Sequence, residues 1–368
     1  MHILMTADTV GGVWTYTREL ASGLVRRGHQ VTLISFGRLP SEDQVRWMEG
    51  LTSIQYHATE YRLEWMQESE QDIEASRAAL GKLIAEVKPD LLHLNQYAYG
   101  SLPTDVPRVV VAHSDVVSWW VSVRGEDPPD DEWMNWYRRT VLEGVNGATA
   151  VVAPSETMLQ AIRRNYLEPQ LARIIYNGRD PAIFNPYAPK QNIVVSAGRL
   201  WDQAKQVSLL LKNEHPVPIW MIGSRESPEE LPGGAADTMC EDSNVRLLGF
   251  QSEDELSRLL ASASIYAATS RYEPFGLAPV EAAFSGCALI MNDISSFREL
   301  WGDSAYYFRR NDPMSLAAAV RELSSDHNLR AEYVERAYQH AIKQFQAERM
   351  VNQYERLYRT LVMREAAA

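Results

Sequence analysis

The feature that most constrains this chain is an alternation, carried twice along its length, of short apolar runs with amphipathic helical stretches. Residues 31–36, 91–94, 109–112 and 150–153 are continuous and largely apolar, as strands are when a sheet is covered on both faces. Between them, 12–27 and 71–87 carry apolar residues at helical spacing. Strand and helix in turn predict a parallel, doubly wound sheet. A second series of apolar runs, at 193–197, 219–222, 245–247, 265–268 and 288–291, predicts another such sheet. The Pro- and Asn-rich NPYAPKQN at 185–192 reads as the linker between them. A length of 368 residues suits two domains of about 100–200 residues each. The last stretch, 327–368, is helical in propensity, with Tyr338, Ala341, Phe345, Tyr354, Leu357 and Leu361 available for one apolar stripe. Two placements fit it: packing on its own domain, or crossing back to the first.

Bulk properties narrow the classes of function. A formal charge of −12 argues against a nucleic-acid partner and weakens the case for docking on anionic lipid. Peripheral membrane contact stays open, but no apolar run is long enough to span a bilayer. Cys240 and Cys287 make neither a disulfide framework nor a metal-ligand spacing. With no signal-peptide pattern at the start, a reducing cytoplasm is the expected setting.

Four motifs carry chemistry, each just after a predicted strand. In EPFGLAPVE, 273–281, Pro274 and Gly276 shape a turn into a helix. Free backbone N–H groups near Gly276 and Leu277, with the positive helix end, suit a phosphate. Glu273 and Glu281 flank that point and suit the hydroxyls of a ligand with sugars on either side of a diphosphate. In AGRLWDQAK, 197–205, Arg199 and Lys205 are two cations able to offset a leaving diphosphate in place of a metal ion. In TVGGVWTYTREL, 9–20, Gly11 and Gly12 allow close approach of backbone to ligand. His113 ends the 109–112 strand, followed by Ser114 and Asp115. Aromatics stack on sugar faces, so Trp119 and Trp120, with Trp133, Trp136 and Tyr137 further on, mark an acceptor side. Ordinary packing of these rings is the competing reading.

Together these residues resemble glycosyltransferase family 4, a group of retaining GT-B enzymes. The resemblance covers nearly the whole chain: the GG loop, RRGHQVTLI at 26–34, VAHS at 111–114, PSE at 154–156, IIYNGRDPAIFNP at 174–186, GRLWDQAK, LGFQSEDEL at 248–256 and SRYEPFGLAPVEAAFSGCALI at 270–290. It implies an α/β GT-B fold: two Rossmann-like doubly wound domains, 1–187 and 188–345, facing a central cleft, with a C-terminal helix, 346–368, crossing back to the first. It also implies a retaining hexosyltransferase using a nucleotide diphosphate sugar, with no metal and no cofactor; the acidity favours a carbohydrate or small polar acceptor over a lipid. Arg199 and Lys205 should then bind the diphosphate, joined by the backbone at Gly11, Gly12, Gly198, Phe275, Gly276 and Leu277. Glu273 should hold the transferred sugar, Glu281 the ribose, and Gly223, Ser224 and Phe250 the base. His113 should lie near the transferred sugar and the attacking oxygen, with Asp115, Trp119 and Trp120 towards the acceptor. The sequence departs from the family at one point: Lys205 comes one position late after Gly198, and Gln206 follows it where the family has Gly. Competing readings are a non-catalytic nucleotide-sugar-binding subunit and another GT-B enzyme such as an epimerase. A nicotinamide dehydrogenase is disfavoured, because no G-x-G-x-x-G follows the first predicted strand, residues 3–6.

Overall fold

The computed structural model describes residues 1–226 and 244–365; Cys240 lies outside them. Contacts divide the chain into two compact units, Met1–Gly178 joined by the C-terminal segment from Ala347, and Arg179–Gln346.

The first unit is built on seven strands: β1 His2–Asp8, β2 Gln30–Phe36, β3 Ile54–Ala58, β4 Leu91–Leu94, β5 Arg108–Val111, β6 Ala150–Ala153 and β7 Ala172–Ile174. All pair in parallel, in the order β3-β2-β1-β4-β5-β6-β7. Order reverses between β1 and β4, so the carboxyl ends of these two strands flank the position where such sheets take ligands. Alternate strand residues feed two cores. One contains Leu92, Leu94 and Val110, the other Leu91, Val109 and Val111. The second core is closed by the last helix, Ala347–Glu365, which contributes Met350, Val351, Tyr354, Leu357, Tyr358 and Leu361. That spacing is one helical face, and each such side chain contributes roughly 1.5–3 kcal/mol by leaving water. The helix packs on the first helix, Gly12–Arg26.

The second unit has six parallel strands: β8 Gln191–Ala197, β9 Ile219–Ile222, β10 Val245–Gly249, β11 Ala263–Ala268, β12 Ala288–Asn292 and β13 Tyr306–Phe308. Their order is β10-β9-β8-β11-β12-β13, again with a reversal, here between β8 and β11. Arg199, Lys205 and Glu273 follow these two central strands.

Three details differ from the sequence reading. The edge strands β3, β7 and β13 were not expected; each is short, and their residues are mostly half-exposed or exposed, so they lack the continuous apolar run of a central strand. The chain leaves the first unit at Gly178 rather than within 185–192. Residues 185–192 instead belong to the second unit, where Lys190 Nζ donates to the Ser285 carbonyl at 2.5 Å. The helical tail is two helices, His327–Gln344 and Ala347–Glu365, split at Phe345 and Gln346. There Phe345 turns its carbonyl to accept from the Arg179 amide at 2.9 Å, and Gln346 pairs with Arg179 in an isolated bridge. Tyr338 therefore belongs to the second unit and Tyr354, Leu357 and Leu361 to the first. Among the described residues, no helix is long and apolar enough to cross a membrane.

Candidate functional site

In the second unit, the carboxyl edge of the sheet gathers most of the residues that the motifs single out. The Leu277–Phe284 helix starts at Gly276, whose φ of 88° is a left-handed value natural to glycine, and no side chain caps it. A Cβ at Gly276 would press on Glu273 Cγ at 3.1 Å, so glycine also lets Glu273 fold over the helix start. Glu273 Oε2 forms an ion pair with Lys205 Nζ and accepts from Ser270 Oγ at 3.1 Å. The aliphatic stem of Lys205 lies along Gly198, where a Cβ would stand 3.6 Å from Lys205 Cδ and Cε.

The displaced lysine thus reaches the site, and the loop shows how. Asp202 N–H bonds Arg199 O at 3.1 Å and Lys205 N–H bonds Asp202 O at 2.9 Å, two successive turns that take up the extra residue. Thr269 Oγ1 donates to Lys205 O at 2.8 Å, and Arg271 N–H to Ala204 O at 2.8 Å, which ties the loop to the segment after β11. Gln206, in the family's glycine position, takes φ 47°, a left-handed conformation that costs a side-chain-bearing residue about 1–2 kcal/mol.

Arg199 pairs with Asp202 at 2.7 Å and lies over the Trp201 ring at 5.3 Å, with its head half-exposed. Gly223 packs against Gly198 so closely that a Cβ would fall 1.7 Å from Gly198 O. With Leu200 N–H bonding Ser224 O at 3.0 Å and Gly223 N–H bonding Gly249 O at 2.8 Å, the ends of β8, β9 and β10 form one shelf. Phe250 projects from it, 80% exposed. Phe275, in contrast, is buried edge-on against Phe345 at 5.3 Å, so its main chain alone is open to a ligand.

Glu281 has a partner that the sequence reading did not assign. Arg179, 1% exposed, donates from Nε to Glu281 Oε1 at 2.8 Å and from Nη2 to Glu253 at 2.5 Å, and stacks on Phe184 at 5.3 Å. A buried guanidinium needs such carboxylates. The signal was a charged residue inside the YNGRD segment that the family resemblance quotes.

In the first unit, His113 stands at the end of β5 with Tyr16 edge-on at 4.6 Å. His113 Nε2 lies 2.8 Å from Asn95 Oδ1, and His93 Nε2 lies 3.3 Å from the same oxygen. Burial pushes both imidazoles down to about 3, so each is neutral at ordinary pH. Asn95, His93 and Tyr16 were not singled out in the sequence; Asn95 follows β4, and the strand-end rule points to it. Gly11 and Gly12 are exposed at the start of the Gly12–Arg26 helix, again with no side-chain cap.

The acceptor-side candidates divide. Asp115 is a helix cap: Oδ1 accepts from Ser118 N–H at 2.8 Å and from Tyr166 Oη at 3.0 Å, and burial pushes its carboxyl up. Trp119 and Trp120 are half-buried and meet edge to face at 6.3 Å. Trp133 stacks on Tyr137 at 5.7 Å, bonds the Met66 carbonyl at 3.1 Å and packs with Trp136 on the first core. These later aromatics are packing.

Residues 10–183 match the family described as Glycosyltransferase Family 4, and 182–340 match Glycosyl transferases group 1. The chain is 25% identical to a phosphatidyl-myo-inositol mannosyltransferase of Mycolicibacterium smegmatis, over 90% of this chain and 85% of that one. An uncharacterized glycosyltransferase of Methanocaldococcus jannaschii is 23% identical over 88% of each. Among solved structures, a sucrose-phosphate synthase from Thermosynechococcus elongatus superposes with TM-score 0.77 at 17% identity, covering 100% of both chains. Anabaena HepE in complex with UDP-glucose gives 0.75 at 18%, covering 98% of this chain and 100% of that one.

Proposed function

Since this chain belongs to the GT-B glycosyltransferases, with a Glycosyltransferase Family 4 half followed by a group 1 half, we propose that it is a retaining hexosyltransferase. It moves a hexose from a UDP-, GDP- or ADP-linked donor to a hydroxyl of a carbohydrate or small polar acceptor, and it needs no metal or cofactor. The observation that carries this reading is the meeting of Lys205 and Glu273 above Gly198, beside the uncapped helix start at Gly276. One cation, one hydroxyl acceptor and a set of free amides suit the junction between a diphosphate and a sugar. The HepE complex with UDP-glucose, on the same fold, supports a nucleotide-sugar donor.

The chemistry follows from the charges. An incoming diphosphate competes for Lys205 Nζ, which releases Glu273 Oε2 to accept a hydroxyl of the transferred sugar. Arg199 and the amides at Gly276 and Leu277 share the remaining phosphate charge. Glu281 keeps Oε1 on Arg179 and offers Oε2 to a ribose hydroxyl; the shelf of Gly223 and Ser224, with Phe250, takes the base. The anomeric carbon–phosphate oxygen bond breaks as the acceptor oxygen bonds the same face. The acceptor's proton passes to the departing phosphate. The protein supplies positioning and fixed charge to an oxocarbenium-like state. Of the first unit's residues, His113 is assigned to a sugar hydroxyl and Trp119 and Trp120 to the acceptor.

The test is the anomeric configuration of the product. The protein is incubated in EDTA with UDP-glucose, GDP-mannose or ADP-glucose and a panel of sugar acceptors, and the new anomeric proton is read by NMR. The expected product keeps the donor's α configuration. A β product rejects the retaining mechanism, and turnover that appears only on adding a divalent ion rejects metal independence.

A further inference from the structure

His113 sits at the end of a buried chain of hydrogen bonds whose direction can be worked out from one amide. Asn95 Nδ2 lies 2.6 Å from the Thr6 carbonyl, which can only accept, and 3.3 Å from Thr17 Oγ1. The NH2 end of the Asn95 amide therefore faces β1 and the first helix, and Oδ1 faces the two imidazoles. An amide oxygen is purely an acceptor, so His113 Nε2, at 2.8 Å, must carry the proton. On His93 the opposite end is also fixed. Tyr358, fully buried on the Ala347–Glu365 helix, places its hydroxyl 2.7 Å from His93 Nδ1. Asn95 Oδ1 can only accept, so the hydrogen of His93 is on Nε2, Nδ1 is bare, and the Tyr358 hydroxyl donates to it. The Nε2 hydrogen points at Asn95 Oδ1 at 3.3 Å and Tyr16 Oη at 3.2 Å.

We propose that Asn95 is a positioning residue that holds His113 as its Nε2–H tautomer, so that His113 presents Nδ1 to substrate purely as a hydrogen-bond acceptor. Among the described residues, no hydrogen bond is made to His113 Nδ1. What it receives is a hydroxyl hydrogen, the group a sugar carries in number. A carbonyl or a phosphate oxygen in that place would meet a lone pair. The inference rests on the reading of His113 as a residue of the transfer site; Tyr358, on the C-terminal helix, orients His93 at the far end of the chain.

The test is an imidazole 15N–1H correlation spectrum of the ligand-free protein, with His113 assigned by comparison with His113→Asn. The expected result at pH 7 is a protonated Nε2 and an unprotonated Nδ1 on both His93 and His113. In Tyr358→Phe, His93 loses its donor and should show mixed tautomers; in Asn95→Leu, His113 loses its acceptor and should show mixed tautomers. In Asn95→Leu, turnover of the nucleotide sugar active among UDP-glucose, GDP-mannose and ADP-glucose should fall about 3- to 10-fold in kcat, with donor KM unchanged. A proton on His113 Nδ1 in the wild type overturns the proposal. So does an Asn95→Leu protein whose His113 tautomer and kcat are those of the wild type. Should Asn95→Leu fail to fold, the wild-type spectrum decides alone. Normal turnover in His113→Ala, with the tautomers as expected, would instead sink the site reading and leave the hydrogen-bond chain standing.

Discussion

The two sheets place opposite kinds of chemistry at their carboxyl edges. In the second unit the groups are ionic and paired: Lys205 with Glu273, Arg199 with Asp202, Arg179 with Glu281 and Glu253. In the first they are neutral: two histidines pushed down by burial, an asparagine and two tyrosines pushed up by it. Similar topology therefore does not dictate similar electrostatics. An ionic edge can exchange partners with a diphosphate, whereas a neutral one recognises hydroxyls without competing for that charge.

The sharpest way to break this contrast is to remove Arg179. Arg179→Met leaves Glu281 buried without its cation, and the expected loss is about 3–5 kcal/mol of stability, read by urea unfolding. A variant as stable as the wild type would show the ionic edge to be loosely solvated. Next comes Lys205→Ala, expected to lower transfer by about 10²–10³-fold while the melting temperature holds. Near-normal turnover would remove the phosphate clamp.

The neutral edge is tested by acid. His93 and His113 have folded values of about 3 against 6.5 unfolded. Their contribution is fully present above the unfolded value and is lost as pH falls from there toward 3. Glu64 works the other way. Burial lifts its carboxyl from 4.5 to about 7, so its contribution is present below 4.5 and is lost as pH rises to 7. The difference between wild type and His93→Asn isolates the histidine. Stability of the variant should fall less steeply between pH 6 and 4, by about one proton's worth of slope. Equal slopes would mean His93 is not buried neutral. The smallest expected effect is at Gln206. Gln206→Gly relieves a left-handed backbone at φ 47° and should stabilise by up to about 1 kcal/mol without lowering transfer. A loss of activity would show that this side chain serves the site.

The sequence carried the central architecture well, because buried parallel strands such as β5, β6 and β12 centre on unbroken apolar runs. It carried the edges poorly. IQYHA, ARI and YYF are short and largely uncovered, and periodicity finds no signal in them. The break at Phe345 and Gln346 has no Gly or Pro to announce it; a tertiary contact with Arg179 ends the helix. At the site, the loops after β8 and β11 were legible because glycine, lysine and glutamate fall at fixed places behind strands. The partners were not. Arg179 lies far from Glu281 along the chain, and Tyr358 far from His93, so pairing needed the fold. Asp115 illustrates the opposite case: it reads as an acceptor contact, and the structure shows a second duty the sequence did not announce, capping a helix.

The central claim, that the Lys205–Glu273 edge receives a nucleotide diphosphate sugar, is tested most directly by binding. Thermal unfolding is followed in EDTA with UDP, GDP and ADP and with their hexose conjugates. At a ligand concentration of a hundred times Kd, binding adds about 2.7 kcal/mol to stability. One base should raise the melting temperature, more so with its sugar attached, and the shift should vanish in Lys205→Ala. No shift with any nucleotide, or an undiminished shift in Lys205→Ala, would contradict the account.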